Sequence, residues 1–101
     1  MGTGAIQLEE LRALLRAFKE QHGKEYHLLA LGYFGSYARN EGTPESDVDI
    51  VFDTDTPNLF RMAHMREELV NLLGRPVDLV RIRKTMNPRL KARIEKEAVY
   101  V

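Results

Sequence analysis

A nearly continuous apolar run, His27 to Phe34, is cut off abruptly by Gly35-Ser36. Such a run is consistent with a strand buried on both faces, and it is far too short to span a membrane. A strand of that kind needs cover, and the flanking sequence supplies it. Leu8, Leu11, Leu15 and Phe18, with Leu14 beside them, form the apolar stripe of an amphipathic helix that stops near Gly23. Beyond the Gly-Ser break, Tyr37 to Asn40 reads as a short helical turn and Glu41 to Glu45 as a loop. Asp47 to Asp53, rich in Val, Ile and Phe, reads as a second strand that Thr54 to Pro57 breaks. Asn58 to Leu73 is a second long helix with a stripe of Leu59, Met62, Met65, Leu69 and Leu72-Leu73. Pro76 to Val80 is a third strand, Arg89 to Glu97 a third helix after Asn87-Pro88, and Ala98 to Val101 a short final strand. The expected order is α-β-α-β-α-β-α around a small mixed sheet, an α+β (mixed α/β) fold. With 101 residues the chain is expected to form a single domain over 1–101.

Several function classes are excluded early. There is no cysteine, hence no disulfide, thiolate metal site or cysteine nucleophile. The N-terminal MGTGAIQLEELRALL has no basic segment ahead of an apolar one, so a secretory signal is not expected and a soluble, cytoplasmic protein is. Fifteen basic and fifteen acidic residues cancel, which gives no bulk attraction to nucleic acid. The charges are nonetheless segregated. Six acids and no base lie between Glu41 and Asp55, whereas seven bases and one acid lie between Arg81 and Lys96. The acidic block invites a cation; the basic segment can meet phosphates or an acidic partner, or be a solvated face.

Asp47 and Asp49 stand two apart on the expected second strand, so both carboxylates leave one face. They repel unless a cation lies between them, and a hard divalent ion such as Mg²⁺ suits oxygen donors and accepts phosphate co-ligands. Asp78 interrupts Val77-Asp78-Leu79-Val80, a run that otherwise belongs to a core, where an isolated charge is costly. If the third strand neighbours the second, Asp78 joins the other two and completes a two-metal site, with ions roughly 3.5–4 Å apart. The plainer reading is that Ser46-Asp47 makes turn hydrogen bonds and the acids face water.

Gly35-Ser36 directly follows the first strand. Glycine allows close backbone approach to a ligand, and a serine hydroxyl with successive N–H groups makes a concave anion site. Arg39 is near enough in sequence to reach the same phosphates.

Together Gly35-Ser36, Ala38-Arg39, Ser46-Asp47-Val48-Asp49 and Asp78 resemble the G-S-x-A-x-G…S-D-x-D…D signature of the DNA polymerase beta-like nucleotidyltransferase superfamily. The segments Arg75 to Val80 and Ile94 to Ala98 are similar to its minimal nucleotidyltransferase (MNT) branch, and the resemblance covers nearly the whole chain. Asn40 stands where the family usually has glycine, and asparagine tolerates left-handed backbone. The resemblance implies that Gly35 and Ser36 bind a nucleoside triphosphate with help from Arg39. It implies that Asp47, Asp49 and Asp78 hold two Mg²⁺ ions, and that Asp78 helps deprotonate the acceptor hydroxyl. That hydroxyl would attack the α-phosphorus and release pyrophosphate.

The chain has little surface beyond the third strand and last helix for an acceptor pocket, so the acceptor is expected to be bound partly by another protein. Proteins of this kind resemble antitoxins that pair with a HEPN-domain RNase toxin and transfer AMP from ATP to a toxin tyrosine, in a hetero-oligomer. The alternatives are a binding module that neutralises a toxin by occlusion alone, and an aminoglycoside-like small-molecule nucleotidyltransferase. His22, His27 and His64 have no ligand partner at recognisable spacing. Tyr33 and Tyr37 bracket Gly35-Ser36 and either pack near the nucleotide base or belong to the core.

Overall fold

A computed structural model describes residues 6–101; the N-terminal reading above falls partly on residues 1–5 and lies outside the described ones. The chain runs α1 (Leu8–His22), β1 (Leu28–Phe34), β2 (Val48–Thr54), α2 (Leu59–Leu73), β3 (Val77–Arg81), α3 (Pro88–Glu97) and β4 (Val99–Tyr100). One mixed sheet has the order β3-β2-β1-β4. β1 pairs antiparallel with both β2 and β4, while β2 and β3 are parallel and joined by the α2 crossover. No described helix is long and apolar enough to cross a membrane.

α2 and α3 begin where an asparagine side chain can satisfy free backbone N–H groups. Asn58 Oδ1 accepts from the Arg61 N–H at the start of α2, and Gly74, with φ 69°, closes its end in the left-handed region. Asn87 Oδ1 accepts from the N–H groups of Arg89 and Leu90 ahead of α3, with Pro88 in the first turn.

Alternation along the strands sorts side chains to two faces. Leu31, Tyr33, Val48, Ile50, Phe52 and Val77 pack under α1 and α2 against Leu11, Leu15, Phe18, Met65, Leu69 and Leu73. Phe34 and Val51 point the other way, under α3, with Ile94, Leu90 and Val80. β2 is therefore covered on both faces, and the two breaks in its burial are Asp49 and Asp53.

Two expectations change. The segment after β1 is a set of hydrogen-bonded turns, with Arg39 N–H to Gly35 O at 3.1 Å and Asn40 N–H to Tyr37 O at 3.1 Å, and it forms no helix. Among the described residues the order is therefore α-β-β-α-β-α-β, with three helices, and the expected short final strand is present as β4. β1 is buried on both faces only from Leu31 onward, and Leu29 is 57% exposed. α3 is short and sits over the Phe34 end, so the Leu29 end of that face has no helix above it.

Candidate active site

The end of β1, the start of β2 and the start of β3 meet at one end of the sheet. There Gly35 takes φ 74°, and a Cβ built on it would lie 2.0 Å from Asp49 Oδ2. No side chain larger than hydrogen fits, because the Asp49 carboxylate lies directly against the Gly35 backbone. The turn that follows is closed by Glu41 N–H donating to Ser36 O at 2.7 Å, and Asn40 adopts φ 59°. Asparagine's tolerance of the left-handed region explains how it serves at a position where glycine was expected. Ser36 lies half-buried at the start of this turn.

Asp49 is the cross-strand partner of Phe34 on one side and of Asp78 on the other. Parallel neighbours stand about 4.8 Å apart, so the ladder itself pins these two carboxylates side by side on the α3 face. Asp78 is exposed, and Asp47 is exposed just before β2. The ligand oxygens of the three aspartates do not all come within 4.8 Å of one another; among the described residues only His22, Glu25 and Glu68 meet that spacing. The ladder fixes Asp49 against Asp78 and leaves Asp47 at the loop end. Burial pushes the Asp49 carboxyl above the usual range, and the Asp78 charge adds to it. Arg93 opposes that shift, Asp47 adds a smaller push upward, and Arg39 a smaller pull downward.

Arg39 is at the surface, and its guanidinium is held by acids. Nε donates to Glu41 at 3.0 Å, and one terminal nitrogen donates to both Glu97 oxygens at 3.1 and 3.2 Å. These acceptors raise its pKa above the ordinary arginine value. Sequence reading did not single out Glu97 or Arg93. Their common signal was the i, i+4 spacing on α3, which puts both on one side of the helix.

Arg75 is a second residue whose role was not legible. Its terminal nitrogen donates to the Tyr37 hydroxyl at 2.7 Å, and that hydroxyl donates to Thr43 O at 3.5 Å. This chain of contacts ties the loop after Gly35 to the residues leading into β3. Tyr33 and Tyr37 are both buried in the core under α1 and α2, on the face opposite Asp49, so they are core residues and not a stacking platform for a base.

His22 has carboxylate neighbours that sequence spacing did not reveal. Nδ1 lies 2.9 Å from Glu25 Oε1, Nε2 lies 4.0 Å from Glu68, and the Tyr26 hydroxyl donates to Glu68. These groups satisfy one another beside a groove of about 580 Å³ between α1 and α2, on the face remote from the aspartates. His64 is exposed and stands edge-on to Tyr26.

Comparison with known proteins shows the family and the fold. Residues 11–101 match the family described as Nucleotidyltransferase domain. A Methanocaldococcus jannaschii protein, provisionally named a protein adenylyltransferase, is 37% identical over 95 residues, covering 93% of this chain and 97% of that protein. Protein adenylyltransferase MntA of Thermococcus cleftensis is 35% identical over 97 residues, covering 95% and 97%. A solved structure, provisionally described as a minimal nucleotidyltransferase, superposes with TM-score 0.77 at 30% identity over 93% of this chain and 95% of that one. The fold recurs with TM-score 0.59 at 21% identity, over 92% and 66% of the two chains, in the complex of tri-AMPylated Shewanella oneidensis HEPN toxin with MNT antitoxin. The α+β fold expected from the sequence is shared with a solved structure of the same kind, and the chain belongs to the nucleotidyltransferase domain family.

Proposed function

We propose that this chain is a cytoplasmic protein adenylyltransferase that transfers AMP from ATP to a tyrosine of a cognate HEPN-domain RNase toxin, and so acts as the antitoxin within a hetero-oligomer. The observation that carries the reading is the meeting of the left-handed Gly35 turn with the Asp49–Asp78 pair at one end of the sheet. Relatives named protein adenylyltransferases support the reaction class, and the MNT–HEPN complex of the same fold supports the partner.

Asp47, Asp49 and Asp78 offer only anionic oxygen donors, which is the chemistry Mg²⁺ prefers. Burial is the first cause of the raised Asp49 pKa, and the charge of Asp78, the second, is the part that a cation among them would relieve. When bound, the metal supplies charge neutralisation for the triphosphate and the developing pyrophosphate. Backbone N–H groups of the Gly35-Ser36 turn and the Ser36 hydroxyl donate to phosphate oxygens, and Arg39 adds positive charge at the end of the same turn. Asp78 accepts the proton of the acceptor hydroxyl. That oxygen then attacks the α-phosphorus, the bond from the α-phosphorus to the oxygen bridging to the β-phosphate breaks, and pyrophosphate leaves. Because the phosphate and the base are held on rigid elements, positioning provides much of the acceleration.

The test uses the purified chain and its partner toxin with ATP labelled at either the α- or the γ-phosphate. Label reaching the toxin from the α position only, and lost in an Asp47→Ala/Asp49→Ala double variant, is the expected result. Label from the γ position, or none from either, overturns the proposal.

A further inference from the structure

The one basic side chain of α3 that stands over the aspartates' end of the sheet is Arg93. Its guanidinium carbon lies 5.7 Å from the centre of the Phe34 ring, within reach of a cation–π contact. Phe34 is the residue before Gly35 and the cross-strand partner of Asp49. The ring thus acts as a shelf that holds the guanidinium between the expected phosphate turn and the carboxylates. Its charge is felt at Asp49, where it is the largest influence favouring the ionised form.

Arg93 differs from Arg39 in how its donors are spent. Arg39 is held by Glu41 and Glu97, whereas Arg93 forms no ion pair within 4.0 Å and no side-chain hydrogen bond among the described residues. A guanidinium held over an aromatic ring by its charge spends none of its N–H donors on an acceptor there. The guanidinium edge matches a phosphate group in shape and charge. Glu97, one turn further along α3, holds Arg39, so the same helix presents one arginine and positions another. If cations bound the carboxylates, the aspartates' charge would no longer be open to Arg93, and a polyphosphate lying between turn and metal would take their place.

We propose that Arg93, seated on Phe34, is a substrate-binding residue that grips the β- and γ-phosphates of the nucleoside triphosphate. This rests on the nucleotidyltransferase reading of the site and adds α3 to it as a third phosphate-contacting element.

Direct binding of ATP, ADP and AMP to the purified chain with Mg²⁺, followed by calorimetry, separates the possibilities. Wild type, Arg93→Ala and Arg93→Lys are compared, with thermal unfolding of each as a check on folding. The expected result is a loss of about tenfold or more in ATP affinity for Arg93→Ala, little change for AMP, and partial recovery in Arg93→Lys. Equal ATP affinity in wild type and Arg93→Ala overturns this inference and leaves the function standing. An equal loss for ATP and AMP also overturns it, since the residue would then act on the shape of the site. A wild type that binds none of the three nucleotides overturns the functional reading, and this inference with it.

Discussion

Gly35 and Asp49 compete for one space: a Cβ on Gly35 would fall 2.0 Å from Asp49 Oδ2. The close approach places the carboxylate against the backbone that turns into the loop proposed to bind phosphate. Gly35→Ala must therefore displace Asp49 while also holding an alanine at φ 74°. A loss of at least about 1–2 kcal/mol in urea unfolding is expected from the backbone alone, together with loss of nucleotidyl transfer. Wild-type stability and activity in that variant would contradict the geometry.

Asp49 also carries a pH dependence whose sign is opposite to the usual one for a carboxylate. Its pKa is raised by burial first and by Asp78 next, so the folded chain holds the proton more tightly than the unfolded chain does. Its contribution to stability is fully present below the ordinary carboxylate pKa and is lost as pH rises through the raised value. Above that raised value the ionised carboxyl costs stability. Asp49→Asn is expected to melt at a higher temperature than wild type at neutral pH, with the gap closing as pH falls into the carboxylate range. Thermal scans across pH measure this directly, and a variant less stable than wild type at pH 7 would count against it.

Asp78 is exposed at the edge of the sheet and aligned with Asp49. If it accepts the acceptor's proton, Asp78→Asn should reduce the transfer rate by about 10²–10⁴, a much larger effect than the weakening of ATP binding that follows from losing one metal oxygen. Single-turnover transfer and nucleotide affinity, measured on the same preparation, separate the two effects. Rate and affinity falling by the same factor would assign Asp78 to substrate binding.

Tyr37 is buried, and its hydroxyl accepts from Arg75. The neighbouring Arg75 Nε is buried without a partner among the described residues. Tyr37→Phe leaves a second guanidinium donor unmet and should cost about 1–3 kcal/mol, read from chemical denaturation. It should also loosen the loop after Gly35, so a weaker affinity for ATP is expected alongside the loss of stability.

The local features of this fold were legible because local periodicity determines them. The stripe of Leu11, Leu15 and Phe18 on α1, the helix stop at Gly23, the helix start at Asn87-Pro88, and the position of the Gly35-Ser36 break need only neighbours in sequence. The alignment of Asp78 with Asp49 was visible as a condition, that β3 should neighbour β2, which the ladder meets. What escaped were pairs joined across the chain: Arg39 with Glu97, Tyr37 with Arg75, and His22 with Glu68. Each depends on which helix crosses which face, and composition carries no trace of that. The same limitation misjudged β1, where α3 covers Phe34 but not Leu29. Tyr33 and Tyr37 were open between core and base contact because alternation alone does not say which face of a sheet bears the ligand.

The account is tested most directly by the intact mass of the partner toxin after incubation with this chain, ATP and Mg²⁺. Wild type is expected to add one or more AMP units to a toxin tyrosine, and the Asp47→Ala/Asp49→Ala double variant none. An unmodified toxin that is nevertheless neutralised equally by wild type and double variant would contradict it, and would make the chain a binding module whose aspartates do no chemistry.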